Sequence, residues 1–101
     1  MDKHITFRGL DSSEALKEHV EKKLSRIDKF KDNAPQAHVI LKVEDIRHVA
    51  EITFSAGHFK TVVESETLDM YASIDEAVSK LQQNIRKHHD KQTKRRTRPA
   101  Q

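Results

Sequence analysis

The chain has 101 residues, 35% of them hydrophobic, with no Trp and no Cys. This length suits one domain with a single modest core, and the lack of Cys excludes disulfides, thiolate metal sites and Cys nucleophiles. The formal net charge of +3 conceals a separation of charge, because residues 80–98 hold eight Lys or Arg and one acid, whereas the remainder holds eleven Lys or Arg and fifteen acids.

A strand followed by a helix opens the chain. Residues 4–8 alternate apolar and polar side chains, which is the period of a half-buried strand, and Gly9 breaks the pattern. Ser12 or Ser13 is placed to cap a helix that is predicted to run to about Phe30. Its buried face is predicted to consist of Leu16, Val20, Leu24 and Ile27.

Three further strands are predicted at residues 37–43, 48–55 and 58–65, each with alternating apolar positions. Because a helix separates the first two strands of the chain, these two are predicted to be parallel neighbours joined by a right-handed crossover. The last two strands are close enough in sequence to form an antiparallel hairpin around Gly57.

A long helix is predicted at residues 69–98, capped by Thr67 or Asp69. Its apolar face is predicted to contain Met70, Ile74, Val78, Leu81 and Ile85, which recur at steps of three and four. The resulting fold class is α+β, a β-α-β-β-β-α sandwich in which two helices pack on one face of a four-stranded mixed sheet. We expect a single domain over residues 1–91 and a basic, flexible tail over residues 92–101.

Basic side chains form a stripe on each helix. On the second helix they are Lys80, Lys87, Lys91, Lys94 and Arg98, which all lie within roughly 40° of one direction. On the first they are Lys22, Lys23, Arg26 and Lys29. The alternative to a binding role is a solvated face whose cations complement the helix dipole. The helix dipole acts only over the last turn, and the stripe on the second helix is longer than that. A row of cations at helical pitch instead suits RNA phosphates.

The other polar residues give weaker hypotheses. The chain has seven His, but they are not spaced to chelate a metal together and there is no Cys to assist them. We therefore predict neither a metal nor a cofactor. The acids in segment 64–76 are read as helix N-terminal acids, with a protein-interaction surface as an alternative. Nothing in the sequence supports an enzyme. No apolar run is long enough to span a membrane and no signal peptide is recognisable, so we expect a cytoplasmic protein.

Several short motifs, in order and at matching spacing, resemble the ribosome hibernation-promoting factor and ribosome-associated inhibitor A family. The most specific is Asp69-Met70-Tyr71-Ala72, followed by Ile74-Asp75 and Lys80-Leu81. The segment 38–44 and the first-helix basic cluster support it. The resemblance covers about residues 4–91 and implies the same β-α-β-β-β-α fold. Within the family, the chain is most like the short hibernation-promoting factors.

The resemblance also implies a target. Family members occupy the messenger and transfer RNA channel of the small ribosomal subunit and inhibit translation in dormant, stationary-phase cells. We therefore expect a monomer that binds ribosomal RNA, competes with messenger and transfer RNA, and uses no membrane or small-molecule substrate. The expected RNA-binding residues are Lys22, Lys23, Arg26, Lys29, Lys80, Arg86, Lys87, His88, Lys91, Lys94 and Arg95. The alternative from the residues alone is a general double-stranded-RNA-binding module.

Overall fold

The computed structural model describes residues 1–27 and 34–97, with side chains described up to His89. The order of elements is the one that the sequence predicts, with a short 3-10 helix added after the first helix. The elements are β1 (Asp2–Arg8), α1 (Glu14–Leu24), the 3-10 helix Ser25–Ile27, β2 (Gln36–Glu44), β3 (Arg47–Ala56), β4 (Phe59–Thr67) and α2 (Met70–Thr97).

The four strands form one mixed sheet in the order β1-β2-β3-β4. β1 pairs with β2 in parallel, whereas β2 with β3 and β3 with β4 are antiparallel. This confirms the predicted topology. Because β1, β2 and β4 run in the same direction, α1 and α2 both run back along the sheet, and their C-terminal ends lie at the same end of the domain.

The core lies between the two helices and one face of the sheet. Its most deeply buried apolar side chains, each 1% exposed or less, are Val20, Leu24, Val39, Leu41, Ala50, Ile52, Phe54, Ile74, Ala77 and Leu81. All of them except Ala77 are positions that the alternation and the helical period predict, so their burial confirms the predicted faces. None of the described helices covers the other sheet face, and on β2 its alternate positions, such as Gln36 and His38, are exposed.

Side-chain capping fixes the start of α1 and a tighter turn ends it. The Oγ of Ser13 accepts a hydrogen bond from the Leu16 amide at 3.2 Å, so Ser13 rather than Ser12 is the cap. The α-helical geometry ends at Leu24 and continues as the 3-10 helix to Ile27, which is buried. The predicted end at Phe30 lies outside the described residues.

A network of hydrogen bonds centred on the buried Ser73 holds the start of α2 against the sheet. Oδ2 of Asp69 accepts from the Ala72 amide at 3.2 Å, and the Thr67 Oγ1 accepts from the Asp69 amide at 3.0 Å. The fully buried Ser73 donates its hydroxyl to the His48 carbonyl at 2.6 Å, which ties α2 directly to β3. Ser73 lies on the buried face of α2, although the sequence predicted only apolar residues there.

Replacing Ser73 by Ala is expected to lower the free energy of unfolding by about 1–2 kcal/mol, because a buried hydrogen bond between two elements is lost. The measurement is urea denaturation followed by circular dichroism. Ser79 provides the matched control, since it is exposed on the same helix and S79A is expected to change stability by about 0.5 kcal/mol or less. Equal effects of S73A and S79A would show that the network does not stabilise the fold.

The backbone of α2 is helical over 28 residues, well past the last apolar position of its buried face. Helical geometry therefore extends beyond residue 91, where the sequence places the boundary between domain and tail. That boundary and the flexibility of the tail stay predictions. Despite the length of α2, no helix within residues 1–27 and 34–97 is both long and apolar enough to cross a membrane.

Candidate nucleic-acid interface

The basic residues of α2 divide between its two flanks. At 100° per residue, Lys80 and Lys87 lie on the flank that faces β4, whereas Arg86 lies on the flank that faces α1. The first assignment agrees with the contact of Lys80, whose Nζ donates to the Glu64 carbonyl of β4 at 2.7 Å. All three side chains are exposed. The α2 stripe is therefore continuous with the edge of the sheet at β4.

Other side chains on this flank fasten α2 to β4. Asn84 Nδ2 donates to the Thr61 Oγ1 at 2.9 Å. The ring of His88 stacks on Phe59 with a centroid distance of 4.3 Å and an interplanar angle of 25°. His88 is consequently half-buried and less accessible to a ligand than Lys87, which is exposed.

The basic residues at the end of α1 and in the 3-10 helix after it are of two kinds. Lys22 and Arg26 are exposed and lie one turn apart. Lys23 instead points toward α2, where its Nζ is 3.7 Å from the Asp75 Oδ1. The same Asp75 oxygen is 2.7 Å from the His19 Nε2, so a small interhelical cluster partly neutralises Lys23. Lys22 and Arg26 are thus the better candidates for direct contact with a polyanion.

The topology brings both sets of cations to one end of the domain. The first set lies at the C-terminal end of α1 and in the 3-10 helix after it. On α2 the charged residues with described side chains beyond Glu76 are Lys80, near the middle of the helix, and Arg86 and Lys87, in its second half. We call the group Lys22, Lys23, Arg26, Lys80, Arg86 and Lys87 the basic end. Its positive side chains lie on two neighbouring helices, which forms a surface broad enough for several phosphates.

The structure describes the side chains of seven of the eleven predicted RNA-binding residues. Six of these form the basic end and the seventh, His88, lies beside it against Phe59. Lys29 lies outside the described residues, and the side chains of Lys91, Lys94 and Arg95 lie outside the described part of α2. Assignment of all eleven to RNA binding therefore stays a prediction.

Sequence reasoning missed the interhelical cluster around Asp75. It assigned the acids of segment 64–76 to the start of the helix, yet only Asp69 caps α2, and Asp75 lies in the second turn. Tyr71 packs edge-on against His19 with ring centroids 4.9 Å apart. The spacing of four residues between Tyr71 and Asp75 indicates that they share one face of α2. The sequence does not indicate that His19 of α1 lies against this face, because that contact depends on the tertiary fold.

A metal site and a surface cavity are the other possible functional sites, and neither involves the basic end. Across the described residues, no three His, Asp or Glu side chains are grouped closely enough to hold a metal ion. A shallow cavity of about 640 Å³ opens on the uncovered sheet face, lined by Asp2, His4, Gln36, Ala37, His38, Thr53, Ser55 and Lys60. His38 is held there by Thr6, with 2.9 Å between Nε2 and Oγ1. None of the predicted RNA-binding residues lines this cavity.

The comparisons with known proteins agree with one another. Residues 4–93 match the family model described as sigma 54 modulation protein / S30EA ribosomal protein. A ribosome hibernation promoting factor of Escherichia coli K12 is 34% identical over 91 residues, which cover 90% of this chain and 96% of that protein. Another, from Azotobacter vinelandii, is 35% identical over 102 aligned positions, covering 99% and 95% respectively.

Solved structures agree with the sequence matches. The N-terminal domain of Thermus thermophilus Protein Y superposes with a TM-score of 0.79 at 31% identity, over 87% of this chain and 99% of that one. A ribosomal subunit interface protein from Coxiella burnetii superposes with a TM-score of 0.82 at 28% identity, over 89% and 99%. The similarity therefore extends over nearly the whole of each matched structure.

Proposed function

This chain belongs to the sigma 54 modulation protein / S30EA ribosomal protein family, and from this membership we propose that it is a ribosome-binding translation inhibitor. It occupies the messenger and transfer RNA channel of the small ribosomal subunit in dormant cells. Its curated relatives carry the name ribosome hibernation promoting factor, and members of this family are non-enzymatic binding proteins. The protein acts in the cytoplasm, as a monomer.

The basic end is the observation that carries this proposal. Lys22, Arg26 and Lys87 are exposed on helices whose opposite faces are buried in the core. The helices therefore hold these cations in place without being free to rotate. A rigid surface with fixed cations gains affinity for a folded RNA through counterion release and without a large ordering cost.

Recognition depends on phosphates and RNA shape rather than on base stacking. Proteins that read single strands usually present exposed aromatic rings to the bases. Here Phe54 is fully buried and Phe59 is half-buried against His88. Tyr71 is 41% exposed, but it packs on His19 at the opposite end of α2 from Lys87. Inhibition then follows from occupancy, because the folded body excludes messenger and transfer RNA while making and breaking no covalent bond.

Salt dependence tests the electrostatic part of the proposal. If binding neutralises five to seven phosphates, the logarithm of the affinity is expected to fall against the logarithm of salt concentration with a slope of roughly −4 to −6. Fluorescence anisotropy of labelled protein with purified small subunits at several salt concentrations gives this slope. A slope near zero would rule out binding through phosphates.

A competition experiment tests the place of binding. We expect the protein to bind assembled small subunits at least about tenfold more tightly than it binds a plain RNA duplex at the same salt concentration. Prior loading of the subunit with messenger RNA and transfer RNA is expected to block binding. Equal affinity for any duplex would favour the general double-stranded-RNA-binding module instead.

A further inference from the structure

Two large apolar side chains are exposed together at the end of the domain opposite to the basic end. Ile46, in the turn between β2 and β3, is 71% exposed, and Leu68, between β4 and α2, is 73% exposed. The ladder between β3 and β4 ends at the pair His48 and Thr67, so Ile46 and Leu68 lie just beyond the same end of this ladder. Single exposed apolar residues are ordinary on protein surfaces, whereas neighbouring ones form a patch that can bind a partner.

The turn that presents Ile46 has an uncommon backbone. Asp45 has a φ of 56°, in the left-handed region that favours Gly. Asp is one of the few other residues that tolerate this region. A Gly at this position would remove the strain and would also remove a carboxylate next to Ile46. Asp45 therefore places a carboxylate beside the exposed Ile46 in a turn conformation that Asp tolerates.

Carboxylates flank this apolar pair along the chain. Asp45, Glu66 and Asp69 are exposed next to Ile46 or Leu68. Arg47, which follows Ile46 in the sequence, is paired with Glu44, with 3.3 Å between Nη2 and Oε2. We call the group Asp45, Ile46, Glu66, Leu68 and Asp69 the acidic tip. An apolar centre with a charged rim is the usual arrangement of a protein interface.

We propose that the acidic tip binds a basic polypeptide segment that carries a bulky apolar side chain. The three carboxylates repel nucleic acids and anionic lipid surfaces, which excludes both as occupants. A symmetric contact between two copies would bring the same carboxylates together. A basic polypeptide pairs with the rim and buries its apolar side chain against Ile46 and Leu68, so it satisfies both features of the surface.

The position of the acidic tip leaves the basic end accessible. α2 begins at the tip, and Arg86 lies 16 residues after Met70, about 24 Å along the helix axis, whereas Lys80 lies ten residues after it, about 15 Å. A short polypeptide bound at the tip therefore leaves Arg86 and Lys87 accessible to RNA. The inference is independent of the proposed function, since it concerns a different surface and a different class of ligand.

The experiment is a titration of ¹⁵N-labelled protein with a short Lys-rich peptide that has two adjacent Leu at its centre, followed by two-dimensional NMR. We expect shifts confined to residues 44–47 and 66–70, with a dissociation constant of about 100 μM. The double variant I46S/L68S is expected to bind about tenfold more weakly. The matched control is Val62→Ser, because Val62 is also exposed, at 56%, but lies on β4 outside the tip.

A second peptide, with the two Leu replaced by Ser, separates apolar burial from charge. It is expected to bind at least about fivefold more weakly than the Leu peptide. Equal binding of the two peptides, shifts spread over other acids, or an unchanged affinity of I46S/L68S would each overturn the proposal. Concentration-dependent shifts without peptide would also overturn it, by identifying a second copy as the occupant. The affinity of I46S/L68S for small subunits is expected to equal that of the wild type. Failure of the acidic-tip proposal can therefore be distinguished from failure of the proposed function.

Discussion

Reversing the charge of Lys80 and Lys87 together to Glu is expected to weaken binding to purified small ribosomal subunits by at least about 100-fold. In the proposed complex, each substitution removes a phosphate partner and places a carboxylate against the RNA, where like charges repel. Both side chains are exposed on the same flank of α2, two helical turns apart, so one rigid contact surface is affected. The measurement is fluorescence anisotropy with labelled protein at fixed salt.

The matched control reverses two cations on the uncovered sheet face. Arg8 and Lys42 are register partners there, on β1 and β2 and away from α2, and R8E/K42E changes the net charge by the same amount as K80E/K87E. The control is expected to lose much less affinity, because only the long-range attraction is reduced. Comparable losses in the two variants would show that net charge, rather than the α2 surface, determines binding.

Thermal unfolding excludes a trivial explanation. Exposed charges contribute little to stability, so the free energy of unfolding of K80E/K87E is expected to change by about 1 kcal/mol or less. Its melting temperature is therefore expected to lie within a few degrees of that of the wild type. The contact that is lost is the hydrogen bond from Lys80 to the Glu64 carbonyl at the surface. A large fall in melting temperature would mean that the variant reports on folding and not on RNA contact.

The sequence was sufficient for the fold because the relevant signals are local and periodic. Alternation located β2 and β3, and steps of three and four located the buried faces of α1 and α2. The parallel pairing of β1 with β2 followed from the helix between them. The 3-10 turn after Leu24 was missed, since a change from α to 3-10 geometry leaves the apolar period almost intact.

The candidate site was predictable in composition but not in arrangement. The sequence identified Lys22, Lys23 and Lys80 as cations of helical stripes. It could not show that Lys23 is directed to Asp75, because that carboxylate is 52 residues away in the chain and reaches α1 only through the tertiary fold. Nor could it show that Ser73 bonds to a carbonyl of β3. Contacts between distant segments leave no periodic signal in a single sequence.

Gly9 illustrates the same limit and gives the last prediction. In the sequence it marks only the end of the first strand. In the structure it has a φ of 74°, and a Cβ at this position would be 2.4 Å from the Val43 carbonyl oxygen. Backbone atoms of a paired strand cannot move aside as a flexible side chain would. Replacement by Ala therefore combines a left-handed backbone with a steric clash.

We expect Gly9→Ala to lower the free energy of unfolding by about 2–5 kcal/mol, from about 1–3 kcal/mol of backbone strain and a similar cost of crowding. Differential scanning calorimetry should show a fall in melting temperature of about 10–25 °C. Gly57→Ala separates the two costs, because Gly57 has a φ of 61° but lies exposed in the turn between β3 and β4. If G9A and G57A lose the same stability, crowding against Val43 contributes nothing, and Gly9 serves the turn after β1 through its backbone conformation alone.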